Sequence, residues 1–422
     1  MDLGKEHLGR LPNGVKDLFG EAAARQAWAE RTLEATFTGW GYSDVVTPTI
    51  EYYDNLALGV DSQVRGMTYR FFDREGHTLA LRPDITVQIA RLVGTKLFGE
   101  PLPLRLCYIA NVFRYGELQS GQQREFTQAG LELIGADTAE ADAEVVTLSV
   151  VAFQALGLRE FQVSLGQMAF FRALVATRSL DPVGLARIQE AVNSKNLPAL
   201  RRILREEGLN GDAGRALEAL PSLCGGREVL AQARKLSPNQ AAHIALDRLA
   251  RVYDLLAVNG VADKVILDLG EVPGMDYYTG ITFKGYALGL GFPLLSGGRY
   301  DDLIGRFGTA LPAVGFALEV ERCLFALGET RRPLSLVPHL VVGGVWGAPV
   351  LALVQELREK GLRVEMDVLG RDERALAAYA QERGARGTLT SDGDGGLALV
   401  EPGGRRAITR ETLLAEATTW QS

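Results

Sequence analysis

The sequence predicts an α+β fold: an antiparallel sheet flanked by helices, with a helical insertion at about 178–260 and a small C-terminal α/β domain at 339–422. Three observations predict it. Alternating apolar segments come in hairpin-like pairs between a few long amphipathic stretches, the pattern of helices packed against an antiparallel sheet. Residues 137–260 then read as mostly helical, so a helical block interrupts the sheet. Beyond a linker at 331–338, strands and helices alternate in a β-α-β rhythm, which predicts a parallel sheet.

The elements follow in order. Trp28, Leu33 and Phe37 recur at helical spacing across 21–38, and Gly39 to Gly41 ends that helix. Val45 to Ile50 reads as a strand whose Pro48 favours an edge or a start. Tyr69–Asp73 and Thr78–Arg82 alternate around a turn at 74–77, and Pro83 sits where a helix could begin. Residues 104–115 and 124–135 form a second pair around a Gly- and Gln-rich loop, 116–123. Helices are expected at 142–156, 182–194, 197–207, 213–220, 226–235 and 238–257, the last starting at Ser237-Pro238. Strand character returns at 264–269 and around 277–286. In the last domain strands are expected at 339–343, 363–367 and 397–400, with helices at 348–360 and 371–383.

At 422 residues, 47% apolar and 23% charged, the chain suits a globular protein of two or three domains. Its formal net charge of −7 does not advertise nucleic-acid binding. Cys107, Cys224 and Cys323 are distant and odd in number, so a reducing cytoplasm is expected rather than a disulfide framework. His7, His77, His243 and His339 form no zinc-type spacing. The first 18 residues hold no apolar signal core, and no apolar run approaches a membrane span. Neither metal nor cofactor is expected.

Four segments are polar or aromatic within otherwise sheet-like sequence: Leu81–Thr86; Phe113–Tyr115 with Arg124–Gln128 and Glu132; Pro273–Gly280; and Ser296–Asp301 with Pro312–Phe316 and Glu321-Arg322. Together they supply what a small zwitterion with a flat ring needs. Asp84 and Glu132 can receive an ammonium or an imidazole N–H, while Thr86 and Gln128 orient through neutral hydrogen bonds. Arg114 offers a planar fork to a carboxylate. Tyr277 and Tyr278 can wall a ring. Each carboxylate alone also fits a surface salt bridge, and each tyrosine alone fits a core. Their crowding on neighbouring strands favours a site.

These segments resemble the signatures of class II aminoacyl-tRNA synthetases, and of histidyl-tRNA synthetase in particular, over residues 11 to about 328. Leu11–Asp17 resembles the family's opening Pro-x-Gly-x-x-Asp. Gly41-Tyr42 through Pro48 to Glu51 resembles motif 1, the dimerisation element. Phe113-Arg114 with Arg124-Glu125-Phe126 and Gln128 resembles motif 2. Asp276–Thr279 resembles the histidine-recognition loop, and Gly297–Asp301 through Glu321-Arg322 resembles motif 3. The resemblance implies the class II fold and a histidine site made of Asp84 (for the family's Glu), Thr86, Arg114, Gln128, Glu132, Tyr277 and Tyr278.

The departures fall on the nucleotide machinery. The recognition-loop arginine that steadies the substrate against ATP is replaced by Pro273, which has neither charge nor side-chain donor. In motif 2 a Glu is replaced by Gly116, an Arg by Glu117 and the final Arg by Gln122. An acid there repels a polyphosphate. In motif 3 a Gly is replaced by Glu319. An amino-acid site without its ATP machinery resembles the synthetase-like regulatory subunits of short-form ATP phosphoribosyltransferase. That resemblance implies no catalysis by this chain. It also implies a separate catalytic subunit that needs it for the first step of histidine biosynthesis, L-histidine feedback, and a homodimer within a hetero-octamer. A divergent histidyl-tRNA synthetase is the rival reading.

From Arg331 to Ser422 twelve Lys and Arg balance twelve Asp and Glu, a weak basis for gripping RNA. Ser391–Gly396 superficially suggests a calcium loop but lacks the later ligands. Gly343 to Gly347 lacks the order of a dinucleotide fingerprint, and Arg201 to Arg205 reads as a solvated helix face.

Overall fold

The computed structural model describes residues 9–59, 62–116, 123–176, 178–237, 239–274, 277–328, 337–392 and 396–421. The chain divides into two compact units, Met1–Leu18 with Arg25–Arg331, and Phe19–Ala24 with Arg332–Ser422. Glu117, Gln122, Asp276, Pro238, most of the 331–338 linker and the centre of the 391–396 loop lie outside the described residues.

The first unit is built on a nine-stranded sheet. Its strands run Ser43–Asp44, Leu104–Phe113, Glu125–Ile134, Ala313–Glu319, Leu295–Arg299, Ile281–Ala287, Phe161–Gln167, Val265–Asp268 and Cys224–Gly225. The six strands from Leu104–Phe113 to Phe161–Gln167 are antiparallel throughout. Toward the edges the expectation needs correction, because Ser43 pairs parallel with Leu106 and Val163 parallel with Val265. Both parallel partners are reached by long crossovers rather than hairpins, which is what parallel pairing requires.

Helix Ala139–Leu156 covers the sheet over the 281–287, 295–299 and 313–319 strands. Thr138 caps it by accepting from the Ala141 N–H at 3.2 Å, and it ends at Gly157, whose φ of 88° suits a residue without Cβ. Helix Gly20–Gly39 buries Ala29, Leu33 and Phe37, and the Phe37 ring meets Phe316 edge-on at 5.9 Å. The helical block comprises Pro182–Asn193, Leu197–Glu206, Gly211–Ala219, Glu228–Leu236 and Gln240–Val258. The last of these is capped by Asn239, which accepts from the Ala242 N–H at 2.9 Å, rather than by Ser237.

Three local expectations fail for identifiable reasons. The strand expected over 45–50 is two pieces, Ser43–Asp44 and Ile50–Tyr52, in different sheets; the segment between them contains Pro48, which cannot donate to a ladder. Ile50–Tyr52 joins Thr78–Leu81 and Arg70–Phe72 in a small three-stranded sheet. Pro83 does not open a helix. The helix is Thr86–Leu92, and the Asp84 carboxylate accepts from the Thr86 N–H at 2.8 Å ahead of it. Strand Ile281–Ala287 begins after the tyrosine pair, not at it.

The second unit holds a five-stranded sheet ordered Val364–Met366, Leu340–Gly344, Gly387–Ser391, Leu397–Glu401 and Gly404–Ile408. Leu340–Gly344 and Val364–Met366 pair in parallel, as expected, but the expectation fails for 397–400. Leu397–Glu401 is antiparallel to Gly387–Ser391, a strand not expected from the sequence, which itself pairs parallel with Leu340–Gly344. Gly404–Ile408 adds a further antiparallel strand. Short connections suffice for those last two, so no helix marks them in the sequence. Helices Ala348–Glu359, Glu373–Glu382 and Arg410–Ala417 complete the unit. Among the described residues no helix is long and apolar enough to cross a membrane.

Candidate functional site

All seven residues singled out in the sequence line one pocket of the first unit, with about 580 Å³ of empty space, mouth included. Gln128 and Glu132 lie four residues apart on Glu125–Ile134, so the two-residue period of a strand puts both on one face. Asp84 and Thr86 arrive from the loop after Thr78–Leu81. That loop is pinned by buried Arg82, which donates from Nε to Asn111 O and from Nη1 to Thr47 O, each at 2.7 Å. Arg114 follows Leu104–Phe113, and its Nε donates to Pro83 O at 2.8 Å. Tyr277 and Tyr278 precede Ile281–Ala287, with ring centroids 4.8 Å apart.

Glycines make the room. Gly315 pairs with Glu132 across the ladder, and a Cβ at Gly315 would stand 1.8 Å from Glu132 Oε2. A Cβ at Gly298 would stand 2.7 Å from the Tyr278 ring. The pocket floor is therefore bare backbone where the acid and the ring come through.

Glu132 is 1% exposed. Its Oε1 accepts from the Thr86 hydroxyl at 2.8 Å, and its Oε2 accepts from the Tyr300 hydroxyl. Burial pushes its pKa up to about 8; the Tyr300 and Thr86 hydrogen bonds oppose that rise, and the charge of Asp84 adds to it. Burial likewise holds the hydroxyls of Tyr108, Tyr277 and Tyr300 well above the ordinary phenol range. Gln128 is buried, and its Oε1 has no hydrogen-bond partner among the described residues. A buried amide oxygen left without a donor lacks part of its stabilisation, and a ligand N–H would supply it.

The pocket's two guanidinium groups are already engaged by carboxylates of the chain. Arg114 Nη2 lies 3.6 Å from Asp84 Oδ2. Arg322 Nε lies 2.7 Å from Glu319 Oε2 in an ion pair that is not an aligned hydrogen bond, and its Nη1 donates to Pro293 O at 2.8 Å. Pro273 is buried and does not line the pocket.

Sequence reasoning gave no role to Tyr300, which the structure places against Glu132, nor to Tyr108. Tyr108 was legible in one respect. It pairs with Gly130, where a Cβ would stand 2.5 Å from the Tyr108 oxygen, so the glycine makes room for the tyrosine across the ladder. Chemically, the arrangement offers acceptors to an ammonium or ring N–H, a guanidinium to a carboxylate, and aromatic walls to a flat ring.

The family model described as Histidyl-tRNA synthetase matches residues 14–323. An ATP phosphoribosyltransferase regulatory subunit from Moorella thermoacetica is 44% identical over 375 residues, covering 89% of this chain and 96% of that protein. One of the same name from Geobacter sulfurreducens is 40% identical over 390 residues, covering 91% and 89%. Among solved structures, an ATP phosphoribosyltransferase regulatory subunit/histidyl-tRNA synthetase from Bacillus halodurans superposes with a TM-score of 0.77 at 32% identity, covering 88% and 96%. On these matches, over a class II synthetase-like core, the chain belongs to the family of ATP phosphoribosyltransferase regulatory subunits.

Proposed function

We propose that this chain is the non-catalytic regulatory subunit of a short-form ATP phosphoribosyltransferase. It assembles with a separate catalytic subunit, is required for the first step of histidine biosynthesis, and carries L-histidine feedback through the pocket of Asp84, Thr86, Arg114, Gln128, Glu132, Tyr277 and Tyr278. The observation that carries the ligand reading is the partnerless oxygen of buried Gln128 on the same strand face as Glu132, between aromatic walls. One amide oxygen, two carboxyls and one guanidinium match the donors and acceptors of an amino acid with an imidazole ring.

The assembly proposed is a homodimer through the motif 1 region, within a hetero-octamer of four copies of each subunit. Val46, Ile50 and Tyr52 are exposed apolar side chains in that region, 95%, 48% and 50% accessible, which supports burial against a second copy. The proposed domains are a core at 1–330 with its insertion at about 178–260, a linker at 331–338 and a C-terminal domain at 339–422. The balanced charge of residues 331–422, linker included, supports a role without nucleic acid, and the setting proposed is the cytoplasm.

Titration calorimetry tests the ligand, and co-purification with a short catalytic subunit tests the partner. Histidine should bind, at least in the complex, and the isolated chain should catalyse no histidine-dependent ATP–pyrophosphate exchange. The matching synthetase family keeps the rival reading specific; robust exchange, or aminoacylation of tRNA, would establish it instead.

A further inference from the structure

Five charged or ionisable side chains of opposite sign line the pocket: the guanidinium groups of Arg114 and Arg322, and the carboxyls of Asp84, Glu132 and Glu319. Glu132 is committed to the hydroxyls of Thr86 and Tyr300. That leaves Asp84 beside Arg114 at 3.6 Å and Glu319 against Arg322 at 2.7 Å. The two pairs differ in tightness. Arg114 is anchored by its Nε on Pro83 O at 2.8 Å and lies over Phe126 at 5.2 Å. Asp84 stands beyond hydrogen-bond distance of its Nη2, which is left for a ligand carboxylate. Arg322 is held at salt-bridge contact, with a second anchor on Pro293 O and Phe292 under its guanidinium at 5.1 Å.

The Glu319 carboxylate makes no capping hydrogen bond to the backbone. It closes strand Ala313–Glu319, and its N–H donates to Leu294 O at 2.9 Å, a bond any residue but proline would keep. It stands at the N-cap of helix Val320–Leu327, but its side chain makes no capping hydrogen bond there. Its side chain is 19% exposed and that of Arg322 is 12% exposed. Removing a carboxylate from water in this way is unfavourable unless a cation is satisfied by it. Its work is therefore done inside the pocket, on Arg322.

We propose that Glu319 determines the ligand specificity of the pocket by acting as an internal anion: it occupies Arg322 and makes the pocket blind to phosphate chains. This rests on the reading of the pocket as an amino-acid site and adds why that site ignores nucleotides. A polyphosphate approaching Arg322 meets Glu319 first and must displace it. A zwitterion needs only the looser Arg114 and the free acceptors, and is not excluded. A feedback site beside an enzyme that consumes ATP then reports the amino acid without competition from the nucleotide.

The full-length chain and its Glu319→Ala and Glu319→Gln variants are titrated calorimetrically with inorganic pyrophosphate, with thermal melts to verify folding. The wild type should show no saturable binding. Both variants should bind, at least tenfold more tightly than any wild-type signal, and the gain should vanish when Arg322→Gln is added. Folded variants that gain nothing overturn the proposal, as does a wild type that already binds pyrophosphate equally well. Should Glu319→Ala fold poorly, Glu319→Gln, which keeps the shape and removes the charge, decides. Histidine titration of the wild type in complex with its catalytic subunit is a separate arm. Absence of histidine binding alongside a pyrophosphate gain would sink the amino-acid reading and leave the anion block standing.

Discussion

The hydroxyl of Thr86 donates to Oε1 of Glu132 at 2.8 Å, joining the first turn of a helix to the centre of the large sheet. Tyr300 donates to the other oxygen, and no cation pairs with Glu132 among the described residues. Burial outweighs the two hydrogen bonds, which favour the charged form, so the proton is retained near neutrality.

That gives a pH signature. The carboxyl titrates at about 8 in the folded chain and at about 4.3 when unfolded. Between those values the native state holds a proton that the unfolded state has released. Its contribution to stability is whole below the unfolded value and is lost as pH rises through the folded one, by about 1.4 kcal/mol per pH unit. Glu132→Gln should flatten the fall in Tm between pH 5 and 8. Equal slopes in variant and wild type would show that Glu132 does not titrate there.

Gln128→Leu separates binding from folding. The amide oxygen has no partner among the described residues, so replacing it with an apolar side chain of similar volume should leave the unliganded Tm unchanged or higher. Histidine affinity should drop by about 1–3 kcal/mol. If calorimetry finds the affinity intact, Gln128 does not touch the ligand.

Gly315→Ala should fail sterically. The added carbon would meet Glu132 Oε2 at 1.8 Å and Leu131 O at 2.4 Å, and backbone cannot step aside as a flexible side chain can. A loss of about 1–3 kcal/mol in urea unfolding is expected, together with loss of histidine binding. Wild-type behaviour in both assays would refute the close approach.

Asp142 is fully buried and holds two arginines, accepting from Arg299 Nε on Oδ1 and from Arg248 Nε on Oδ2, each at 2.8 Å. Asp142→Asn removes the charge and presents an N–H to a guanidinium. The expected cost is about 3 kcal/mol by chemical denaturation, because Arg299 loses its fully buried counter-ion and keeps only the partly exposed Asp301 at 3.0 Å. A change under about 1 kcal/mol would mean that water reaches the arginine.

Val46→Asp tests the proposed dimer. A charge on a side chain 95% exposed in the isolated chain should leave the monomer's fold alone and shift its sedimentation toward the monomer. An unchanged mass would move the interface elsewhere.

The sequence made the Leu104–Phe113 and Glu125–Ile134 hairpin legible, because two strand-like segments flank a Gly- and Gln-rich loop. It concealed Phe161–Gln167 within a stretch that reads as helical, and it marked 264–269 as strand without showing that Val265 pairs parallel with Val163. The seven pocket residues were legible through their resemblance to family motifs, and their clustering around one cavity follows from four adjoining strands. Tyr300 was missed because its partner, Glu132, is 168 residues away and only sheet order brings them together. Asn239 was missed as a cap because Ser237-Pro238 offered an equally familiar start.

Glu132 sits on a strand bonded along both flanks, to Leu104–Phe113 on one side and Ala313–Glu319 on the other. Such a floor is inelastic: it cannot bulge without shearing two ladders at once. A ligand one carbon too large then forfeits contacts instead of reshaping its host, which is how a rigid backbone discriminates among close chemical analogues by about 1–3 kcal/mol.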